Sequence, residues 1–390
     1  MSAETTLANQ GRKTWTYPHS EFARLYAPLE KIHPAVKLRA LLRSKFIMRR
    51  TEPESCYLLT AGAYDAMTAA LLTELGFEAV YASGWQLAAA HSMSADVGVY
   101  PSHAMAGLVS ELLRGVESAR DRHFFETEGE TLQAPPVFAD METGFGGPAQ
   151  AFSLARELIR AGAAGVHLED QDPAERGAGR FVSHRAAPRP KVLLPTRKWI
   201  EKLIAVKAAA QAAESELVII ARTDAMGGVS SGGREGSVEH AIDRALEAAS
   251  LGVDVIWPEF CDTSAEAPRL FAEGVHKHYP DQMLGFNLSA ALHWGQAKRE
   301  GRIPTNRELG QMGYVLQFSS LLAFRTAGMA LETWLKGFRQ RGLDALADLQ
   351  LVEVASLDGE PRTRTHQRFA GAHRWSAFER IARGSGEAAM

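Results

Sequence analysis

Eight short apolar runs that alternate with helix-length segments are the feature that most constrains the fold of this chain. Each run is too short for a helix and is rich in Val, Ile or aromatic residues, as expected for strands that are buried on both faces. The runs lie at residues 57–60, 79–83, 136–140, 165–169, 217–222, 253–258, 283–287 and 314–318. The alternation predicts an α/β fold, a closed (β/α)8 barrel of the TIM type.

The segments between the runs have the length and pattern of helices. Good candidates lie at residues 65–75, 149–161, 198–213, 238–251 and 265–278, and Gly76, Gly162 and Gly252 stand where helices should end. An open doubly wound sheet would normally carry a glycine-rich nucleotide turn after its first strand. Here the first run leads into TAGAYD at residues 60–65, which is not GxGxxG. The closed barrel is therefore the favoured architecture.

The barrel is predicted to occupy residues 56–345 as the catalytic domain, between a helical N-terminal extension at 1–55 and a C-terminal extension at 346–390. Residues 37–50 are basic and amphipathic, and this pattern favours an ordinary helix packed by its Leu/Ile face over a membrane or nucleic-acid role. Residues 225–236 (AMGGVSSGGREG) predict a flexible loop that suits either a lid or a plain surface excursion.

Composition narrows the choice of function. A net charge of -3 argues against a general nucleic-acid or membrane-surface binder. Cys56 and Cys261 are far apart and lack metal-binding spacing, so neither a disulfide framework nor a zinc cluster is expected. The first residues lack the apolar core of a secretory signal, and no run is long enough to span a bilayer. We expect a cytoplasmic protein with a small-molecule substrate.

Polar residues follow the predicted strands, and a barrel gathers such positions at its C-terminal mouth. They are Ser83, Gly84, Trp85, Gln86, Asp140, Glu142, His167, Glu169, Asp170, Gln171, Arg222, Thr223, Asp224, Glu259, Asn287, Ser289, Gln317, Ser319 and Ser320. Taken singly, Asp170 or Asp224 is more simply a helix cap or a salt-bridge partner. His167 fits a hydrogen-bonded core histidine at least as well as a catalytic one.

The carboxylates among these residues point to a metal site. Asp140 and Glu169 end adjacent strands, and crowded carboxylates repel one another unless a cation neutralises them. Oxygen ligands without Cys or paired His favour Mg²⁺, with Mn²⁺ as a substitute. Arg222 offers a planar fork for a substrate carboxylate. Hydroxyl and amide groups for a second carboxylate come from Ser83, Asn287, Ser289 and Ser320. The predicted ligand is a small polyanionic carboxylic acid.

Longer motifs then identify a family resemblance. In chain order they are YASGWQ at 81–86, ADMETGFGG at 139–147, HLEDQ at 167–171, KVLLPT at 191–196, ARTD at 221–224, IWPE at 256–259 and MLGFNLS at 283–289. From about residue 58 to the C-terminal region, the chain resembles the isocitrate lyase / phosphoenolpyruvate mutase superfamily, and most of all isocitrate lyase. The resemblance implies a homotetramer and a reversible, aldol-type carbon–carbon cleavage.

The resemblance also implies roles for individual residues. The glyoxylate half of the substrate would be held by Ser83, Gly84, Trp85 and Arg222. The succinate carboxylate would be held by Asn287, Ser289 and Ser320. Asp140 resembles the direct Mg²⁺ ligand, and the metal and its waters would be surrounded by Asp96, Glu142 and Glu169. Further polar positions of the active site are matched by Tyr81 and Glu259.

The chain departs from the isocitrate lyase pattern where that family has a catalytic-loop cysteine. Residues 175–180 read ERGAGR, an insertion precedes Lys191, and no cysteine lies near. His184, in the insertion, is a candidate for the missing proton donor, although a solvated loop histidine is the simpler interpretation. Ala291 and His293 also replace a family Ser and Asn, which favours a changed substrate.

Together these features predict a Mg²⁺-dependent carbon–carbon lyase. It would cleave an isocitrate-like 2-hydroxy di- or tricarboxylate to a 2-oxo acid such as glyoxylate and a dicarboxylate such as succinate, with a proton donor other than cysteine. Two alternatives remain open. One is an oxaloacetate-type hydrolase or decarboxylase, or a C–P enzyme, of the same superfamily. The other is a catalytically silent paralogue that binds a carboxylate.

Overall fold

Eight parallel strands form a closed barrel in the computed structural model, which describes residues 19–95, 98–175, 191–230, 232–355 and 361–383. Within these ranges the strands are Leu58–Ala63 (β1), Val80–Ala82 (β2), Val137–Asp140 (β3), Gly165–Glu169 (β4), Lys191–Leu193 (β5), Val218–Thr223 (β6), Gly228–Ser230 (β7), Val255–Pro258 (β8), Met283–Asn287 (β9) and Tyr314–Ser319 (β10). The barrel order is β1-β10-β9-β8-β6-β4-β3-β2. Each predicted run overlaps one barrel strand, so the (β/α)8 prediction is confirmed.

Helices surround the barrel and extend beyond it. In the described ranges the α-helices are His19–Phe22, Pro34–Met48, Ala66–Glu74, Gly84–Ser92, His103–Glu126, Pro148–Ala161, Thr196–Ala212, Val238–Ser250, Glu266–His276, Trp294–Arg299, Asn306–Gln311, Leu322–Arg341, Leu343–Val354, His366–Phe369 and Ala372–Arg383. Short 3₁₀ turns lie at Pro53–Ser55, Pro173–Glu175 and Arg362–Thr365. The predicted stops Gly76, Gly162 and Gly252 all have left-handed backbones, with φ of 79°, 97° and 67°, as expected at helix ends.

Helix Pro34–Met48 closes the N-terminal end of the barrel. Its buried Leu38, Leu42 and Phe46 pack into one cluster with residues at the starts of the barrel strands, among them Leu58. The predicted helix is therefore confirmed, but its apolar face differs from the expected Leu/Ile face. Ile47 is 70% exposed, because its position on the helix turns it away from the strand ends.

A two-stranded parallel sheet lies outside the barrel and takes up part of the segment 225–236 that was predicted as a flexible loop, because Gly228–Ser230 forms a strand. β5 pairs with β7, from Lys191 with Gly228 to Leu193 with Ser230. The physical reason is close packing: a Cβ placed on Gly228 would come within 2.7 Å of the Leu193 side chain. Glycine here lets two strands approach, where the composition alone suggested only flexibility.

The C-terminal helices extend the chain past the last barrel strand. The predicted domain boundary at residue 345 falls inside helix Leu343–Val354. Helix Leu322–Arg341, which follows β10, contains no buried residue. Among the described residues, no helix is both long and apolar enough to cross a membrane.

Candidate active site

Asp140, the last residue of β3, lies at the centre of a buried hydrogen-bond network. Its Oδ2 accepts hydrogen bonds from the Tyr81 hydroxyl and from the Gly84 amide, both at 3.1 Å. The Tyr81 oxygen is also 2.9 Å from His167 Nε2, which lies 3.3 Å from Asp140 Oδ1. Burial alone would raise the pKa of Asp140, but the neighbouring charges of His167 and Arg222 hold it well below its usual value. Asp140 is therefore an anion at neutral pH.

Gly84 brings the backbone against two carboxylates. A Cβ on this residue would lie 2.4 Å from Glu142 Oε1 and 2.7 Å from Asp140 Oδ2. The two oxygens thus converge on the same point above Gly84. Ser83 precedes it as the N-cap of helix Gly84–Ser92, and its Oγ accepts a hydrogen bond from the Gln86 amide at 3.4 Å. A side chain at position 84 would occupy the space that these carboxylates share.

Glu142 adopts a left-handed backbone conformation that L-residues rarely take. Its φ is 52°, and such strain persists only where surrounding contacts fix it. Its amide donates to Asp140 Oδ1 at 2.7 Å, and its carbonyl accepts from the Glu169 amide at 3.0 Å. The Tyr100 hydroxyl donates to Glu142 Oε1 at 2.6 Å. The side chain is thereby directed towards Asp140.

Arg222, near the end of β6, pairs with carboxylates on both sides. Its Nη1 lies 3.2 Å from Glu169 Oε2, and its Nη2 donates to Asp224 Oδ1 at 3.1 Å. The guanidinium carbon sits 4.4 Å from the centre of the Trp257 ring. Burial opposes its charge, but Asp224 and Glu169 raise the pKa of Arg222 well above its usual value. Its Nε is buried without a partner among the described residues.

A lysine and an amide complete the charged network around Arg222. Lys191 of β5 forms an ion pair with Asp224. Gln171 Nε2 lies 2.9 Å from Glu169 Oε1 and 3.4 Å from Asp224 Oδ2, and so bridges the two carboxylates. The interpretation of Asp224 as a salt-bridge partner is thus confirmed.

Asp170 also serves as a salt-bridge partner, as its simpler interpretation predicted. It is buried, and its Oδ2 accepts from Arg244 Nε and Thr223 Oγ1, both at 2.6 Å. Its Oδ1 accepts from the Asp224 amide at 2.9 Å. These bonds tie β4 to β6 and to helix Val238–Ser250, beside the site.

A second polar group lies at the ends of β8, β9 and β10. Asn287 Nδ2 is 3.2 and 3.3 Å from the two carboxylate oxygens of Glu259, and its Oδ1 accepts from Ser320 Oγ at 3.4 Å. Burial raises the pKa of Glu259. The buried Ser289 engages its own turn, where its carbonyl accepts from Trp294 Nε1 at 2.8 Å. The predicted Asn287 and Ser320 are therefore brought together.

Other predicted residues lie apart from these two groups or outside the description. Trp85 packs edge-on against Phe324, with ring centres 5.0 Å apart. Asp96 and His184 lie outside the described residues, so their predicted roles stay predictions.

Sequence reasoning assigned no role to three residues of the site: Tyr100, Lys191 and Gln171, although Gln171 was among the predicted polar residues at the strand ends. Gln171 ends the HLEDQ motif and Lys191 begins the KVLLPT motif, and these motifs were the available signal. Their pairing with Glu142, Glu169 and Asp224 depends on the barrel and could not be read from spacing.

The donor set is compatible with a hard divalent cation. Within the described part of the chain, no three His, Cys, Asp or Glu side chains are grouped as a complete metal site. Mg²⁺ does not need such a cage, because it commonly binds through one or two carboxylates and keeps several waters. Asp140 Oδ2 and Glu142 Oε1 converge above Gly84 and supply that kind of oxygen pair.

Known proteins match this chain over most of its length. Residues 48–313 match the family model described as phosphoenolpyruvate phosphomutase. The chain is 33% identical over 371 residues to an isocitrate lyase of Halalkalibacterium halodurans. The alignment covers 86% of this chain and 85% of the relative. It is 32% identical to an isocitrate lyase of Corynebacterium glutamicum, over 85% of this chain and 81% of the relative.

Solved structures share the fold. A 2,3-dimethylmalate lyase superposes with a TM-score of 0.65 at 22% identity, covering 92% of this chain and 100% of that one. An oxaloacetate acetylhydrolase in complex with 3,3-difluorooxalacetate superposes with a TM-score of 0.64 at 25% identity, covering 92% and 99%. The two are named for different substrates, 2,3-dimethylmalate and oxaloacetate, and share one fold with this chain.

Proposed function

Because this chain is a lyase of the phosphoenolpyruvate phosphomutase and isocitrate lyase superfamily, we propose that it cleaves a carbon–carbon bond in an isocitrate-like 2-hydroxy di- or tricarboxylate. The products would be a 2-oxo acid such as glyoxylate and a dicarboxylate such as succinate. The observation that most supports this activity is the 33% identity to an isocitrate lyase over 371 residues. That region includes the polar residues at the strand ends.

The charges around Arg222 suit one carboxylate of such a substrate. Its guanidinium carries five N–H donors, more than its pairs with Glu169 and Asp224 use, so it can still donate to an incoming oxygen. Ser83, Gly84 and Trp85 begin the neighbouring helix and would complete the glyoxylate subsite. Glu169 and Asp224 already neutralise the guanidinium, so this subsite would select by geometry as well as charge.

The group around Asn287 suits the other carboxylate. Asn287 and Ser320 are held in contact, and Glu259 orients the Asn287 amide. Ser289 stands beside them in sequence as a further donor. Ala291 and His293 replace the Ser and Asn of the isocitrate lyase pattern, and one lost donor to a charged group weakens binding by roughly 1–3 kcal/mol. The substrate would therefore differ from isocitrate at this end.

Asp140 and Glu142 would hold a Mg²⁺ ion, with Asp96 and Glu169 acting on it directly or through water. When bound, such an ion stabilises the negative charge that develops on substrate oxygens. Tyr81 would keep Asp140 in position, because burial raises its pKa well above the usual value and the phenol remains a neutral hydrogen-bond donor. The oxygens of Asp140 then stay directed towards Gly84.

Two protons move in the proposed reaction. The substrate hydroxyl gives one to a base as the carbon–carbon bond breaks, and the departing carbon gains one from an acid as the dicarboxylate forms. We propose His184 as the group that delivers the second proton, in place of the family cysteine. Cys261 is a poor substitute, since burial raises the pKa of its thiol to about 12.

A second function is favoured by one specific comparison. The oxaloacetate acetylhydrolase structure is 25% identical to this chain and covers 92% of it. Oxaloacetate is a smaller dianion, and the lost hydroxyl at Ala291 would matter less for it. Hydrolysis of a 2-oxo dicarboxylate is therefore the alternative activity.

An exposed apolar face on helix Leu322–Arg341 suggests that copies of this chain associate with one another. Helix Leu322–Arg341 has no buried residue, and its Leu331, Leu335 and Phe338 are more than half exposed. These positions recur at i, i+4 and i+7 and form one apolar face. We propose that a second copy of this chain covers it within a homotetramer.

A substrate panel tests the activity. Purified protein with Mg²⁺ is mixed with isocitrate, 2-methylisocitrate or oxaloacetate, and the products are followed by NMR. Glyoxylate or pyruvate together with succinate supports the lyase, and acetate with oxalate supports the hydrolase. No turnover, with tight binding of a dicarboxylate, would indicate a silent paralogue instead. If turnover occurs and His184→Ala leaves it unchanged, His184 is not the proton donor.

A further inference from the structure

Lys202, on helix Thr196–Ala212, is a buried lysine that the proposed mechanism does not use. Only 3% of it is exposed. Its ammonium donates a hydrogen bond of 2.8 Å to the backbone carbonyl of Thr143. Burial lowers the pKa of this side chain to about 8, so the ammonium form still predominates at neutral pH. A buried ammonium is costly unless it makes specific contacts, and here it donates to a carbonyl beside the site and lies near the charges of Asp172 and Glu169.

The Thr143 carbonyl belongs to the turn that follows Glu142. The turn is closed by a hydrogen bond from the Gly144 amide to the Met141 carbonyl at 2.8 Å. Asp140 and the Glu169 amide fix Glu142 from the barrel side. Lys202, on helix Thr196–Ala212, fixes the next peptide, that of Thr143. The left-handed Glu142 is thus restrained both at its own backbone and at the residue that follows.

This arrangement gives Lys202 a role at the site without contact to the substrate. If the Thr143 peptide rotated, Glu142 could relax towards an ordinary conformation. Its Oε1 would then leave the point above Gly84 that it shares with Asp140 Oδ2. The carboxylate pair would be lost although both carboxylates remained present.

We infer that Lys202 is a positioning residue, whose hydrogen bond to the Thr143 carbonyl holds Glu142 in the conformation that pairs its carboxylate with Asp140. The inference rests on the proposed function, because it assigns that carboxylate pair to the cation. Lys202 lies on a helix outside the barrel, whereas the carboxylates that it would position lie at the strand ends.

Binding of Mn²⁺, measured by electron paramagnetic resonance, tests the consequence for the metal. Lys202→Met keeps the length of the side chain and removes its donor. We expect it to weaken Mn²⁺ binding by about ten-fold, as loss of an outer partner of a metal ligand commonly does. Lys198→Met on the same helix is the control, because Lys198 is 62% exposed. A Lys202→Met protein with a lower Tm but wild-type Mn²⁺ affinity would overturn the inference.

A crystal structure of the metal-free Lys202→Met protein tests the conformational step itself. We expect Glu142 to leave the left-handed region or its carboxylate to move from Asp140. An unchanged Glu142 would refute the positioning role. This readout needs no metal, so it decides the inference even if wild-type protein binds no Mn²⁺, a result that would instead reject the proposed function. If Lys202→Met does not fold, Lys202→Gln, whose shorter amide ends before the carbonyl, undergoes both measurements.

Discussion

Single residues of the site are held by close contacts that leave little room for change. Gly84 has no Cβ, and this leaves room for two carboxylates to approach it. Glu142 has a strained, left-handed backbone that directs its carboxylate to the same point. Motifs predicted both residues as members of the site. The strain at Glu142 depends on a local bond to Asp140, two residues earlier, and on a bond from the Glu169 amide of the next strand. The second contact is brought about by the barrel, so no local pattern could predict it.

Gly84→Ala is expected to disrupt the carboxylate pair. The new Cβ would lie 2.4 Å from Glu142 Oε1, so Glu142 or Asp140 must move. We predict a loss of Mn²⁺ affinity of about 10- to 100-fold, the range seen when partners of metal ligands are disturbed. Gly107→Ala is the matched control, since a Cβ there meets nothing within 4 Å. Equal Mn²⁺ affinities, measured by calorimetry, would contradict the assignment.

Glu259 should make stability depend on pH in a defined direction. Burial raises the pKa of its folded-state carboxyl above the ordinary value of 4.5. At low pH both states are protonated, and as the pH rises through the folded pKa the unfolded chain releases the proton more readily, so stability is lost. Glu259→Gln, which stays neutral, should therefore gain more stability over wild type at pH 8 than at pH 5.

Urea unfolding at the two pH values measures this difference. Glu273→Gln serves as the control, because the side chain of Glu273 is 60% exposed. A gain for Glu259→Gln that is the same at both pH values, or larger at pH 5, would show that Glu259 does not carry a buried charge in the folded protein.

At the scale of elements, sequence patterns located all eight barrel strands. They did not predict the strand β7 or which face of helix Pro34–Met48 is buried. Runs of buried Val, Ile and aromatic residues mark strands without reference to partners, which is why all eight could be predicted. The sequence predicts a loop at β7 because glycine is typical of flexible segments. In the structure β7 pairs with β5, a strand more than thirty residues earlier in the chain. The orientation of helix Pro34–Met48 likewise depended on the strand ends that it covers.

Leu38→Ala should show how much this helix stabilises the barrel. Leu38 is fully buried, and truncation of such a leucine costs about 2–5 kcal/mol of the free energy of unfolding. Ile47→Ala, on the same helix but 70% exposed, should change stability by about 0.5 kcal/mol or less. Chemical denaturation of both variants provides the comparison. Similar effects at the two positions would mean that the helix does not close the barrel as described.

At the scale of the whole molecule, stability and chemistry occupy opposite ends of the barrel. The N-terminal end is closed by apolar packing against Pro34–Met48, and the C-terminal mouth holds the charged network. The fold and most site positions could be predicted because strand ends and motifs are local in sequence. The pairing of individual anions with individual cations could not be predicted, because it depends on the register of neighbouring strands.

The apolar face of helix Leu322–Arg341 should control assembly. Leu335→Lys places a charge at a position that is 62% exposed in the single chain and would be buried in the proposed tetramer. We predict a smaller assembly by size-exclusion chromatography with light scattering. Leu29→Lys, at a position 84% exposed and outside this face, should leave the mass unchanged. A wild-type protein that is monomeric would rule out the assembly.

The ion pairs of Arg222 have a consequence for inhibitor design. Both terminal nitrogens of the guanidinium already hold internal anions, Glu169 and Asp224. A ligand carboxylate at this position therefore adds a third anion beside a cation whose charge is already balanced within the protein. The net gain from adding negative charge to a ligand here should be small. A neutral oxygen acceptor beside this guanidinium is expected to bind nearly as well as an anion.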